Sequence, residues 1–333
     1  MATRTTIAIT GASGTIGPAL LKRLSAARSV ERVLVLGRRA PDPAHVGPKV
    51  EFREVDVRDR AAVSRGVEGA DAVIHMAYAL YGMTPGESDL FDTNVEGTLN
   101  VARAAALAGA SRFVHLSSGV VYGFRPDNPQ PIDEGAPIRA SARHFYSRHK
   151  AQAELLIGDA LAGTGTEAYL LRPCAVVGPH AAGAVVSSLR PSVRSGIRRG
   201  LAGLGRAGLL PPIPAPPVPL QFVHEDDVAQ AAVQAALGRG PAGVYNLAGS
   251  GAIEGREALR LLGLRPLPLP RPLMRGALRA LAKVPPLVPA LAWQEAGAAP
   301  LLLDTSRARG ELGWRPRWTS QAALEATRAG IGW

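Results

Sequence analysis

Short apolar or β-branched runs recur through the first half of the chain, at Thr6–Thr10, Arg32–Leu36, Val50–Val55, Ala72–His75, Arg112–Ser117 and Ala168–Arg172. Each but the last is followed by a stretch of helical composition, for instance Thr98–Ala108. Strand-like and helix-like segments in alternation predict βαβ units and a parallel sheet. Right-handed crossovers then wind such a sheet in both directions. After Pro173 the pattern changes. Residues 174–220 are rich in Gly, Pro and Arg, and Leu209–Leu220 is crowded with proline, which suits a lobe or lid over a pocket better than a sheet interior. Phe222–Ala236 reads as a strand end running into a helix, with Asp226 or Asp227 placed to cap it, and Val244–Leu247 reads as one more strand. The predicted class is α/β, a Rossmann-type doubly wound parallel sheet with a smaller C-terminal substrate lobe. Residues 1–173 plus 221–250 form the sheet domain in this reading, and 174–220 plus 251–333 form the lobe.

A chain of 333 residues with 47% hydrophobic content is long enough for one large α/β domain and a second, smaller unit. Cys174 is the single cysteine, so no internal disulfide can form, which fits a reducing cytoplasm. The strand pattern begins at Thr6, which leaves no room for a signal peptide. Pro285, Pro286 and Pro289 interrupt the longest apolar stretch, so no stable membrane insertion is expected. The net charge of +11 has two readings. Attraction to nucleic acid or an anionic surface is one. The other is composition: lysine occurs only at Lys22, Lys49, Lys150 and Lys283, while arginines are scattered through an Ala-, Gly- and Pro-rich chain. With 5% aromatic residues there is little for base stacking, and no nucleic-acid role is expected. Arg275, Arg279 and Lys283 form a basic stripe at helical spacing, read as a solvated helix face rather than a membrane-surface anchor.

Candidate chemistry begins where the first strand ends, in Thr10-Gly11-Ala12-Ser13-Gly14-Thr15-Ile16-Gly17-Pro18. Gly11 permits a tight turn, Gly14 lets a pyrophosphate approach the backbone, and Gly17 lets the following helix pack against the sheet. The N–H groups and dipole of that helix start attract phosphate, and Pro18 suits its first turn. The second strand ends at Gly37-Arg38-Arg39, where an acidic residue would have bound the ribose hydroxyl of NAD. Arginine there can hold the 2′-phosphate of NADP, so NADP is favoured over NAD. Tyr146 and Lys150, at i and i+4, share one face of a helix. A phenol titrates near 10 in water, and a nearby ammonium favours its phenolate, which suits proton transfer. Ser117-Ser118 closes a strand, at the end where open α/β sheets place their chemistry; turn or capping roles are the plainer reading of such a pair. His75, His115 and Cys174 are expected to be structural, and no metal site is expected.

These segments together resemble a known family. Gly11-x-x-Gly14-x-x-Gly17, Asp56-Val57, His75-Met76-Ala77, Asn94-Val95-x-Gly97-Thr98, Ser117-Ser118-x-x-Val121-Tyr122-Gly123, Tyr146-x-x-x-Lys150 and Leu171-Arg172-Pro173 occur in order, followed by Phe222-Val223-His224-x-Asp226-Asp227-Val228-Ala229 and Leu312-Gly313-Trp314-x-Pro316. The chain resembles the extended short-chain dehydrogenase/reductases, the NAD-dependent epimerase/dehydratase family. The resemblance implies a catalytic triad of Ser118, Tyr146 and Lys150, with Ser118 chosen because it stands four residues before Tyr122. It implies that Lys150 also holds the nicotinamide ribose; on the glycine spacing and the arginine charge, the loop Gly11, Ser13, Gly14, Thr15, Ile16 and Gly17 is expected at the pyrophosphate and Arg38 at the adenine ribose. Asp56 and Val57 would sit at the adenine, Met76, Ala77 and Asn94 along the cofactor, and Pro173 near the nicotinamide. The helices Gly97–Ala108 and Tyr146–Leu161 would form a homodimer surface.

Three departures shape the expected substrate. Tyr78 stands where a second alanine commonly follows Ala77, and is placed against the ribose or the substrate pocket. Gly119 and Val120, also expected to face substrate, replace the Asp-Glu pair of the sugar-nucleotide dehydratases. Pro214–Leu220 replaces a Gly-rich, Arg-containing stretch usual in sugar-nucleotide epimerases. The expectation is therefore an NAD(P)-dependent oxidoreductase transferring hydride at a carbinol or ketone carbon of a small, fairly apolar molecule. A sugar or sugar-nucleotide epimerase with retained NAD is the alternative. A non-catalytic dinucleotide-binding sensor is the alternative of another class; it has no need of both Tyr146 and Lys150.

Overall fold

The computed structural model describes residues 4–79, 87–141, 144–181, 213–215, 218–267 and 299–331. Six strands of the first half are β1 (Thr5–Thr10), β2 (Val30–Gly37), β3 (Val50–Glu54), β4 (Ala72–His75), β5 (Arg112–Leu116) and β6 (Glu167–Pro173). With the later strand Gly243–Leu247 they make a seven-stranded sheet, in the order Gly243–Leu247, β6, β5, β4, β1, β2, β3. Every pairing in it is parallel. The strand order reverses between β1 and β4, and such a switch point opens a crevice at the carboxyl ends of the strands. The fold is the Rossmann-type doubly wound sheet that the sequence predicts.

Two apolar layers hold it, one on each face. Along β1, Ile7 and Ile9 point to one layer and Ala8 to the other; along β2, Val33 and Val35 separate from Leu34 and Leu36 in the same way. This is the period of two of a strand. Because both layers are apolar, the strands read as continuous hydrophobic runs. The first layer packs on α1 (Gly17–Ala26) through Leu20, Leu21 and Leu24. The second packs on α2 (Arg60–Val67) through Val63 and Val67, on α4 (Gly97–Leu107) through Val101 and Ala105, and on α5 (Phe145–Leu161) through Ile157 and Leu161. The short helix α3 (Glu87–Phe91) leads into α4 through a π-helical segment, Asp92–Glu96.

Beyond β6, the short strand β7 (Ala175–Val177) pairs with Phe222–His224, which runs directly into α6 (Glu225–Ala236). The cap of α6 is neither aspartate. His224 caps it, its Nδ1 accepting from Asp226 N at 3.1 Å. Asp226 is drawn away by the guanidinium of Arg23, which reaches both its oxygens at 2.7 and 2.6 Å and ties α6 to α1. Asp227 accepts from the backbone of Arg317 and Trp318 at 2.9 and 3.1 Å, so its carboxylate serves the C-terminal segment instead. A third apolar cluster gathers Val177, Ala215, Ile253, Leu259, Leu262 and Leu324, all after Pro173. Leu303, Ala308, Leu312 and Trp314, in contrast, join the first layer under the sheet. Half of the proline-rich Leu209–Leu220 stretch and all of the basic stripe Arg275, Arg279 and Lys283 lie outside the described residues. No helix among the described residues is long and apolar enough to cross a membrane.

Candidate active site

The glycine loop follows β1 at the switch point. Gly11 has φ +77°, and a Cβ there would stand 2.5 Å from the amide nitrogen of Ala77. A Cβ on Gly17 would stand 1.7 Å from the carbonyl oxygen of Ala12. Successive turns close the loop, with Gly14 N donating to Gly11 O at 3.0 Å and Gly17 N to Gly14 O at 3.1 Å. No side chain caps the start of α1, and Pro18 occupies its first turn. The backbone therefore leaves a cradle that any side chain would fill, at a helix start that attracts anions, and this fits a pyrophosphate.

At the far end of the crevice, Asp56 accepts from Arg58 at 2.6 Å. That hydrogen bond holds its carboxyl below the ordinary range against the opposing effect of burial, and Arg38 adds to the lowering. Arg38 itself is exposed, just past the end of β2. A cavity of about 510 Å³ beside Asp56 is lined by Asp56, Arg58, Asp59, Asp92 and Glu96. Four carboxylates against one guanidinium make this cavity unfavourable for phosphate. Val57 is buried beneath it. Met76 and Ala77 extend from β4, their amides both donating to Thr10 Oγ1 at 3.3 Å. Pro173 closes β6.

The catalytic candidates meet at the carboxyl ends of β4 and β5. Tyr146 lies in the first turn of α5 and is half-buried, while Lys150, one turn on, is buried. Lys150 Nζ donates to the Leu116 carbonyl at the end of β5 at 2.6 Å. Burial pushes its ammonium down to about 7, and Glu154, a further turn along α5, acts the other way. Ser118 is buried and extends its oxygen to the amide of Val120 at 3.4 Å, capping the short 3₁₀ helix Gly119–Tyr122. Tyr78 lays its ring over Lys150, with Nζ 4.2 Å from the ring centre.

Ser117 faces elsewhere. Its hydroxyl donates to Glu154, whose carboxylate is also held by Arg172 at 3.0 and 2.6 Å. Arg172 then donates to the Tyr122 hydroxyl at 2.8 Å, and Tyr122 to Asn246 at 2.9 Å. This buried chain joins the end of β5, α5, β6 and the strand Gly243–Leu247. Glu154 carries it and was not among the sequence candidates, although its place four residues after Lys150, on the same helical face, was a signal for it. Asn94, expected along the cofactor, turns its whole amide to Ala79: Oδ1 accepts from the Ala79 amide at 2.7 Å and Nδ2 donates to its carbonyl at 3.0 Å. It fastens the segment after β4. Below the site His75 bridges Thr10 and Thr98 at 2.7 and 2.9 Å. His115 stacks on His75 at 5.6 Å, and neither of its ring nitrogens meets a hydrogen-bond partner among the described residues. Burial, and next the charge of Lys150, push His75 down to about 3. The same causes, in the same order, carry His115 well below its ordinary value. Cys174 is buried, which raises its thiol and keeps it protonated.

Known proteins share the family and the fold. The model of the NAD dependent epimerase/dehydratase family matches residues 7–248. The uncharacterised protein y4nG of Sinorhizobium fredii is 29% identical, across 98% of this chain and 80% of its own length. Sterol demethylase protein B of Methylococcus capsulatus is 33% identical over 52% of this chain and 52% of its own length. Among solved structures, the Bordetella bronchiseptica enzyme WbmG in complex with NAD and UDP matches with a TM-score of 0.70 at 19% identity, covering 98% of this chain and 95% of that one; that likeness is one of fold. With the family model spanning the sheet, the glycine loop and the Tyr146–Lys150 helix, the chain belongs to the NAD-dependent epimerase/dehydratase family.

Proposed function

We propose that the protein is an NAD(P)-dependent oxidoreductase that moves a hydride at a carbinol or ketone carbon of a small, fairly apolar molecule, with Tyr146 as acid and base. One observation carries this reading: α5 brings Tyr146 and Lys150 to the strand ends where Ser118 stands and the glycine loop begins. The bound nicotinamide supplies a two-electron acceptor or donor. Gly11, Ser13, Gly14, Thr15, Ile16 and Gly17 hold its pyrophosphate, Asp56 and Val57 border the adenine, and Met76, Ala77 and Pro173 border the nicotinamide half. Arg38 is placed for a 2′-phosphate, which favours NADP. Ser118 orients the substrate oxygen, Tyr146 takes or returns its proton, and Lys150 anchors the ribose and supports the phenolate.

An apolar substrate suits the floor of the site. Gly119 and Val120 are buried, and a Cβ on Gly119 would meet the side chains of Leu303 and Leu301 at 3.0 and 3.2 Å. The resemblance to a protein named for sterol demethylation supports the same class. A second reading, an epimerase that keeps its NAD and re-reduces the carbon it has oxidised, is favoured by the family and by the NAD and UDP held by WbmG. The exposed Leu107 and Leu155, at the end of α4 and on α5, support a homodimer through these helices. A cytoplasmic setting belongs to the same reading and rests on the lone Cys174. The test is Tyr146→Phe, assayed with a panel of ketones and alcohols. Turnover is expected to fall at least about 100-fold with dinucleotide binding intact. Undiminished turnover overturns the assignment.

A further inference from the structure

Tyr78 is the residue at which this chain departs from the small side chains of the resembling family, and its side chain sits among Lys150, Tyr146 and Asn94. Its face lies 4.2 Å from Lys150 Nζ. Its edge meets the Tyr146 ring at 5.2 Å between centres and 86° between planes. Its hydroxyl reaches the Tyr146 carbonyl at 3.4 Å, a long and weak bond. The backbone that carries it is fixed, because the fully buried Asn94 holds both polar groups of Ala79 next door. Lys150 has three bonds free to rotate beyond its Cβ. The Leu116 carbonyl takes one of its protons from below, at 2.6 Å. An aromatic face set against a buried ammonium supplies attraction that water supplies elsewhere.

We infer that Tyr78 is a positioning residue: its ring, clamped by Asn94 and braced edge-on by Tyr146, aims the Lys150 ammonium, and through Lys150 it sets how tightly the dinucleotide is held. The inference rests on the reading of Lys150 as the ribose anchor. The ring carries the role, since it is the ring face that meets the Lys150 ammonium, while the hydroxyl turns to the Tyr146 carbonyl and the Asn94 side chain. Tyr78 thus acts on cofactor rather than on substrate.

A double-mutant cycle on the full chain tests this, read as NADPH and NADH dissociation constants by fluorescence titration. Tyr78→Phe is expected to bind within about twofold of wild type, because the ring remains. Tyr78→Ala and Tyr78→Leu are expected to bind about fivefold more weakly, the leucine variant keeping apolar bulk without a π face and serving should the alanine variant fail to fold. In a Lys150→Met background the same Tyr78 changes are expected to cost nothing further. Losses that add to that of Lys150→Met overturn the inference, as does a leucine variant that binds like wild type or a phenylalanine variant as weak as alanine. Wild-type protein that binds neither nucleotide overturns the dinucleotide reading itself, and this inference with it.

Discussion

The buried histidines beneath the site are its least comfortable residues. His75 has partners in Thr10 and Thr98, but His115 is enclosed with neither nitrogen bonded among the described residues, in a layer shared with Lys150. Its folded form must be neutral, while the unfolded chain protonates it below an ordinary pKa near 6.5. The unfolded state therefore binds more protons as the solution acidifies, and the native state loses the corresponding stability as pH falls below that value. Replacing His115 by leucine removes this liability. Urea unfolding midpoints are expected to favour His115→Leu over wild type increasingly as pH drops from about 7 to about 5. Parallel pH profiles for the two proteins would contradict this. Lys150 is lowered as well, and the stability held above its ordinary 10.5 is lost as pH falls through about 7. That slope is shared by both proteins and cancels in the comparison.

At the level of elements, the glycine loop depends on close approach more than on flexibility. Gly17 has no room for a side chain, because a Cβ would overlap the Ala12 carbonyl at 1.7 Å. Gly17→Ala must push α1 off the sheet or reshape the loop. A loss of about 1–3 kcal/mol in unfolding free energy is expected, together with loss of dinucleotide binding, by chemical denaturation and by titration. A variant that folds and binds normally would remove the loop from the account. The same scale shows what was legible in advance. The strands were readable because layers on both faces make them continuous apolar runs, and Tyr146 with Lys150 because one helical turn joins them. The buried chain from Ser117 through Glu154, Arg172 and Tyr122 to Asn246 was not, since its links span 37, 18, 50 and 124 residues and no local pattern encodes them. The His224 cap escaped for a related reason: both neighbouring aspartates are claimed by distant partners, Arg23 and the 317–318 backbone.

Across the whole molecule, the switch point sets where chemistry can occur. The order Gly243–Leu247, β6, β5, β4, β1, β2, β3 places the glycine loop, the β4 end with Tyr78 and the β5 end with Ser118 on one rim. The C-terminal segment supports that rim from below, with Trp314 buried in the first layer and its indole N–H donating to the Asp227 carbonyl at 2.8 Å. Charge is unevenly distributed along it: Arg38 lies exposed at one end, carboxylates line the cavity beside Asp56, and Gly119 is packed against Leu301 and Leu303. As proposed above, this rim is a dinucleotide site with Arg38 at the 2′-phosphate. Native mass spectrometry of the wild-type chain and of Arg38→Ala, each with equal NADPH and NADH, tests it most directly. One dinucleotide per chain is expected, NADPH in preference to NADH, with a preference that collapses in Arg38→Ala. A wild-type chain that takes up neither nucleotide contradicts it.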